Sequence, residues 1–171
     1  MVVDYSKWAR WADCTGSDGE ELASEERRAS ESSLFVHLPA GPAPEERREL
    51  CCLLECLSES RVEDLKERLG WSAVGTMIVP GQRSVLRRDE GERWQVWYDD
   101  SYLTTQSAEN ECGRRLLGHD SRGSFVIACM QDGAPRCVSR AEVADFILGR
   151  DVEALVAETR AHEEAIAELT K

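Results

Sequence analysis

The sequence predicts an α+β fold: a helical pair, then an antiparallel or mixed sheet of about four or five strands, then C-terminal helices on one sheet face. Three observations predict it. Phe125, Val126, Ile127, Ala128, Cys129 and Met130 form an unbroken apolar run between Gly123 and Asp132-Gly133. Such a run between turn residues suits a strand covered on both faces. Asp-Gly tolerates positive φ, so a hairpin-like reversal into a short second strand follows. Ser139 then precedes Glu142 at capping-box spacing, and Val143, Phe146 and Ile147 lie on one helical face that Gly149 ends.

The chain begins differently. Asp13, Asp18, Glu20, Glu21, Glu25, Glu26 and Glu31 face Arg27 and Arg28, with Ser, Gly and Ala filling most gaps. So little apolar surface does not offset the entropy of ordering. Residues 1–43 are therefore expected as an acidic, largely disordered arm, and residues 44–171 as a single α+β domain. Within the arm Leu34, Phe35, Val36 and Leu38 make one apolar patch, a short strand or a docking segment. Pro39, Gly41, Pro42 and Pro44 read as a linker.

Pro44 suits a first helical position, and Leu50, Leu53, Leu54 and Leu57 form the stripe of an amphipathic helix. Ser60 and Glu63 have the spacing of a second capping box. Val62, Leu65 and Leu69 give the next helix its inner face, and Gly70 stops it. Residues 73–79, 84–88 and 93–98 read as strands, the last two joined through Asp89-Glu90-Gly91-Glu92 as a hairpin. Trp94, Val96 and Tyr98 alternate with Gln95 and Trp97. Trp97 makes the second face aromatic, so that face is covered by a helix or is a contact surface. Residues 107–117 read as a short helix.

In the tail, Val152, Leu155, Thr159, His162, Ile166 and Leu169 repeat at three and four residues on a long amphipathic helix. It packs on its own domain, or it is exposed for a homodimer through residues 151–171 or for another partner. In the exposed case His162 on the seam makes pairing sensitive to pH.

The formal charge of -12 over 171 residues excludes phosphate-backbone binding as a main role and disfavours anionic membrane surfaces. A basic protein partner fits better. No apolar stretch approaches the ~20 residues of a membrane span. The opening residues lack the apolar centre of a secretory signal, so the expected location is cytoplasmic. Seven cysteines, an odd number, are expected as free thiols in a reducing compartment.

Chemistry leaves few marks. Cys51, Cys52 and Cys56 stand close together, but two thiols one helical turn apart need two further ligands for zinc. Cys129 and Cys137 are placed to face each other across the hairpin. No glycine-rich phosphate loop, nucleophile elbow or HExxH occurs, and no cofactor, metal site or catalytic residue is predicted. An enzyme reading rests on His119 and Asp120, in a loop before the central strand, where catalytic groups are often carried.

Val3-Asp4-Tyr5-Ser6-Lys7-Trp8 resembles the start of the Hsp90 co-chaperone family known as Cdc37. Ser17-Asp18-Gly19-Glu20-Glu21 is similar to that family's serine among acidic residues, and Ser33-Leu34-Phe35 to its later Ser/Ala-Leu-Phe. The likeness is confined to residues before about Leu38. It implies phosphorylation of Ser17 by an acid-directed kinase, and Hsp90 or a protein kinase as partner. Read as residues, Tyr5, Trp8 and Trp11 share helical spacing and form one aromatic face for a partner. The expected function is thus a non-enzymatic protein-protein interaction or adaptor protein.

Overall fold

The computed structural model describes residue 27 and residues 29–80, 92–101 and 107–169, the side chains of 159, 162, 163 and 169 excepted. Its elements run β1 (Ser32–Ser33), β2 (Phe35–Leu38), α1 (Arg47–Leu53), β3 (Glu55–Leu57), α2 (Val62–Leu69), β4 (Val74–Ile78), β5 (Arg93–Asp99), α3 (Glu111–Leu117), β6 (Phe125–Gln131), β7 (Ala134–Arg136), β8 (Val138–Ser139), α4 (Arg140–Leu148) and α5 (Val152–Leu169). The fold is mixed α+β. Its main sheet has the order β3-β2-β6-β5-β4, with β7 also beside β6, and all its pairings are antiparallel. β1 and β8 form a separate two-stranded ribbon.

The apolar run is the centre of this sheet, as its composition requires. β5 flanks β6 on one side, while β2 and β7 share the other. Asp132 (φ 52°) and Gly133 (φ 82°) close the two-residue β6–β7 hairpin, the positive-φ pair that matches strand twist. Side chains alternate between two cores. Ile127 and Cys129 join Val36, Leu38 and Val96 under α1, α3 and α4, through Leu50, Leu116, Val143 and Ile147. Val126 and Ala128 join Phe35, Leu57 and Trp97 under Leu65 of α2 and Trp71. Trp97 is therefore covered, its ring edge-on to Phe35 at 5.5 Å.

The capping box forms: Glu142 N donates to Ser139 Oγ at 3.1 Å, and Ser139 N to Glu142 Oε2 at 2.8 Å. That reciprocal bond holds the Glu142 carboxyl below its usual range, helped by Arg136. α2 ends at Gly70 in the left-handed region.

Other expectations are corrected. The boundary at residue 43 falls within the fold, because β2 is an inner strand with Val36 and Leu38 fully buried. Glu31 fastens the start of this segment: its carbonyl accepts from Arg140 N at 3.2 Å, and its carboxylate pairs with Arg140 Nη2 at 2.6 Å. The first helix spans Arg47–Leu53, starting after Pro44 and ending before Leu57. Leu54 is extended (ψ 142°), and Leu57 lies on β3 opposite Phe35. The two helices do not form a packed pair, since α1 and α2 serve opposite cores. The N-cap of α2 is Arg61, with no side-chain cap from Ser60. β5 pairs with β4 and β6, while residues 84–88 and residues 89–91 of the predicted Asp89-Glu90-Gly91-Glu92 hairpin lie outside the described residues. The third helix starts at Glu111.

Candidate protein-interaction surface

The polar network was the feature least visible in the sequence. Asn110, 1% exposed, caps α3 by accepting from Gly113 N at 2.8 Å through Oδ1. Its Nδ2 donates to the carbonyls of Leu38, Pro39 and Gly123 at 3.3, 3.2 and 2.7 Å. It thus ties the end of β2, the start of α3 and the approach to β6. Its sequence signal was an Asn just ahead of a helix, a cap preference that many loop asparagines share.

Asp99 closes the same end of the sheet on its β5–β4 side, since Leu38 and Tyr98 both lie opposite Phe125. Its Oδ1 accepts from Ser101 Oγ, Ser101 N and Ala73 N at 2.8, 3.1 and 3.3 Å. Burial opposes its charge, but these bonds and one from Ser72 outweigh it and hold the carboxyl below the usual range. Charge pairs fasten the surface elements. Arg47 forks onto Asp145 between α1 and α4, with Nη2 to Oδ2 at 3.0 Å. Arg136 bridges Glu92 and Glu142, and Arg68 bridges Glu55 and Glu59. Pairs this exposed contribute about 0–1 kcal/mol each.

Among the described side chains, His37 is a histidine beside such a group. On β2 opposite Glu55, it places Nδ1 3.4 Å from Glu55 Oε2. Burial outweighs the pull of Glu55 and lowers its pKa below the ordinary 6.5. The folded state therefore favours neutral imidazole, while the unfolded chain takes up a proton near pH 6.5. This contribution is complete above pH 6.5 and declines as pH falls through the folded-state value. The urea midpoint of the intact protein is expected to drop between pH 7 and 5. His37→Asn should flatten that drop, and an unchanged slope would refute the assignment. The lowered carboxylates Glu59, Glu142, Asp145 and Asp99 act in a more acidic window.

The residues singled out for chemistry do not converge. His119 is exposed, its Nδ1 3.1 Å from the Asp120 carbonyl, and Asp120 lies 3.9 Å from Arg114 at the surface. Cys112, on the neighbouring helix, is buried, which pushes its thiol up to about 12. Burial also raises Cys51 and Cys129. Cys129 faces Arg136 across the hairpin, and Cys137 is exposed, so the expected Cys129–Cys137 juxtaposition is not found. No group of three or more potential metal ligands occurs among the described residues. No helix among them is long and apolar enough to cross a membrane. Tyr5, Trp8, Trp11 and Ser17 lie outside the described residues.

What remains at the surface is apolar. The large hydrophobic side chains exposed among the described residues are Val74 (37%), Ile78 (51%) and Ile166 (50%). Val74, Thr76 and Ile78 pair with Asp99, Trp97 and Gln95, so they share the sheet face that carries Trp97. The core under α2 closes over Trp97 and leaves this rim bare.

Ile166 belongs to α5, which Asp151 caps by accepting from Ala154 N at 3.0 Å. Leu155 is the buried anchor of α5, and it seats against Gly118. Gly118 serves twice: at φ 75° it ends α3 in the left-handed region, and a Cβ there would lie 2.9 Å from Leu155 Cβ. Beyond Val156 the helix has little cover. Every described side chain from Ala157 to Glu168 is exposed. The helical repeat reading therefore applies in two halves: the first turn packs on the domain, and the described side chains of the following turns are exposed. Compared with protein-family models, curated proteins and solved structures, the chain matches none.

Proposed function

We propose that this protein is a non-enzymatic interaction or adaptor protein that binds through its N-terminal arm and its last helix. The run of α5 from Ala157 to Glu168, whose described side chains are exposed and include the half-exposed Ile166, carries this reading, because an amphipathic helix that presents an apolar side chain is a common recognition element. The engagement of the perturbed carboxylates and arginines in structural ties supports it further. On the arm, Tyr5, Trp8 and Trp11 supply the aromatic contact, Ser17 is the phosphorylation site, and the partner is Hsp90 or a protein kinase, as the Cdc37 resemblance implies.

The test is binding of the intact chain to purified Hsp90 and to a kinase domain, beside the triple variant Tyr5→Ala, Trp8→Ala, Trp11→Ala. Point substitutions are the right tool, because removing 43 residues would take β2 out of the sheet. Loss of binding in the triple variant is expected. Equal binding by both chains, or by neither, overturns the arm's role.

A further inference from the structure

The exposed end of α5 has a chemistry that selects its occupant. By sequence spacing its seam runs through Thr159, His162, Ile166 and Leu169, the last two apolar, and Ile166 is half exposed. In the same repeat Glu158 and Glu163 fall at the two positions flanking the seam. Glu164 and Glu168 follow, against Arg160 alone among the arginines and lysines of the helix. The last turn holds no basic residue, so Glu168 stands at the negative end of the helix dipole. These terms all disfavour a further acidic helix.

Self-association meets that penalty directly. In a parallel pair the flanking position of one helix faces the opposite flanking position of the other, which sets Glu158 against Glu163. In an antiparallel pair whose seams overlap fully, Glu163 meets Glu163 of the other helix. A cationic helix instead satisfies the flanks and the dipole together, and its apolar stripe covers Ile166. The run from Ala157 to Glu168 is about 18 Å long at 1.5 Å per residue, enough for about three turns of a partner.

We propose that the exposed end of α5 docks a basic amphipathic helix of another protein, with lysine or arginine flanking an apolar stripe, and does not pair with a second copy of this chain. This inference rests on the reading of α5 as an interaction element, and it is independent of the arm and of Hsp90.

The probe is a synthetic four-heptad peptide with leucine in the seam and lysine at both flanks, titrated into the full chain by fluorescence anisotropy. Two control peptides carry the same composition in scrambled order, or glutamate at both flanks. The lysine peptide is expected to bind, more weakly as salt rises, and both controls at least about tenfold worse. Ile166→Asp should weaken the lysine peptide about tenfold or more, with the circular dichroism of the domain unchanged. The double variant Glu158→Lys, Glu163→Lys should move the preference to the glutamate peptide. Equal binding of the ordered and scrambled peptides overturns the proposal. So does an Ile166→Asp chain that binds as well as the parent, or a parent chain that sediments as a dimer and becomes monomeric on that substitution. Each of these outcomes leaves the test of Tyr5, Trp8 and Trp11 untouched.

Discussion

Asn110→Ala is expected to destabilise the protein by about 3 kcal/mol, a large effect for one small polar side chain. The amide Nδ2 has two protons and three carbonyls within reach, so Leu38 and Pro39, at 3.3 and 3.2 Å, share one while Gly123, at 2.7 Å, takes the other. Alanine leaves these acceptors and the Gly113 N–H without that partner in a site that is 1% exposed. A lost helix cap costs about 1 kcal/mol and each stranded buried group about 1–3 kcal/mol, with relaxation returning part of the sum. In a chain of this length the thermal midpoint should fall by roughly 6–12 °C. Asn110→Asp separates the two roles. It keeps the acceptor for Gly113 N but sets a carboxylate against carbonyl oxygens, so it should not rescue stability. Urea unfolding of the three proteins checks this, and a loss below about 1 kcal/mol for alanine would refute the tie.

Trp97→Ala should cost about 4 kcal/mol, within the range for deleting a large buried aromatic. The indole is 7% exposed and fills the second core between Phe35, Leu65 and Val126. Its edge-on contact with Phe35, at 83° between ring planes, adds an aromatic term of about 1 kcal/mol. Trp97→Phe retains an aromatic ring and should recover more than half the loss. An alanine variant within about 1 kcal/mol of the parent in urea would mean that Trp97 is not packed as described.

The parts of this fold that were legible in the sequence are those fixed by neighbours along the chain. The Asp132-Gly133 turn, the Ser139–Glu142 box and the run from Phe125 need nothing distant to define them. The parts that were misread depend on tertiary contacts. Leu50, Leu53, Leu54 and Leu57 fit one helical stripe, yet Leu54 turns extended and Leu57 packs beside Phe35 on a neighbouring strand. Phe35, Val36 and Leu38 do form one of the two alternatives read for their patch, a short strand, but between an acidic stretch and prolines nothing local marks it as an inner strand of the sheet. They are ordered by β6, far along the chain. The same holds for Asn110, whose carbonyl partners at Leu38 and Pro39 come from a distant segment. Of the candidate surface, the seam of α5 was visible as a repeat. Where its cover stops depends on Leu155 meeting Gly118, a contact that spacing within the helix does not reveal.

The late position of β6 bears on how this chain is made. A ribosome delivers β2, α1, β3 and α2 well before the strand that must lie beside β2 exists. During that interval the β2 edge and half of each core have no lasting cover, which is when nascent chains are most exposed to misassociation. Translation must run past Gln131 before the sheet can close, so release at any earlier codon leaves a fragment without its middle strand.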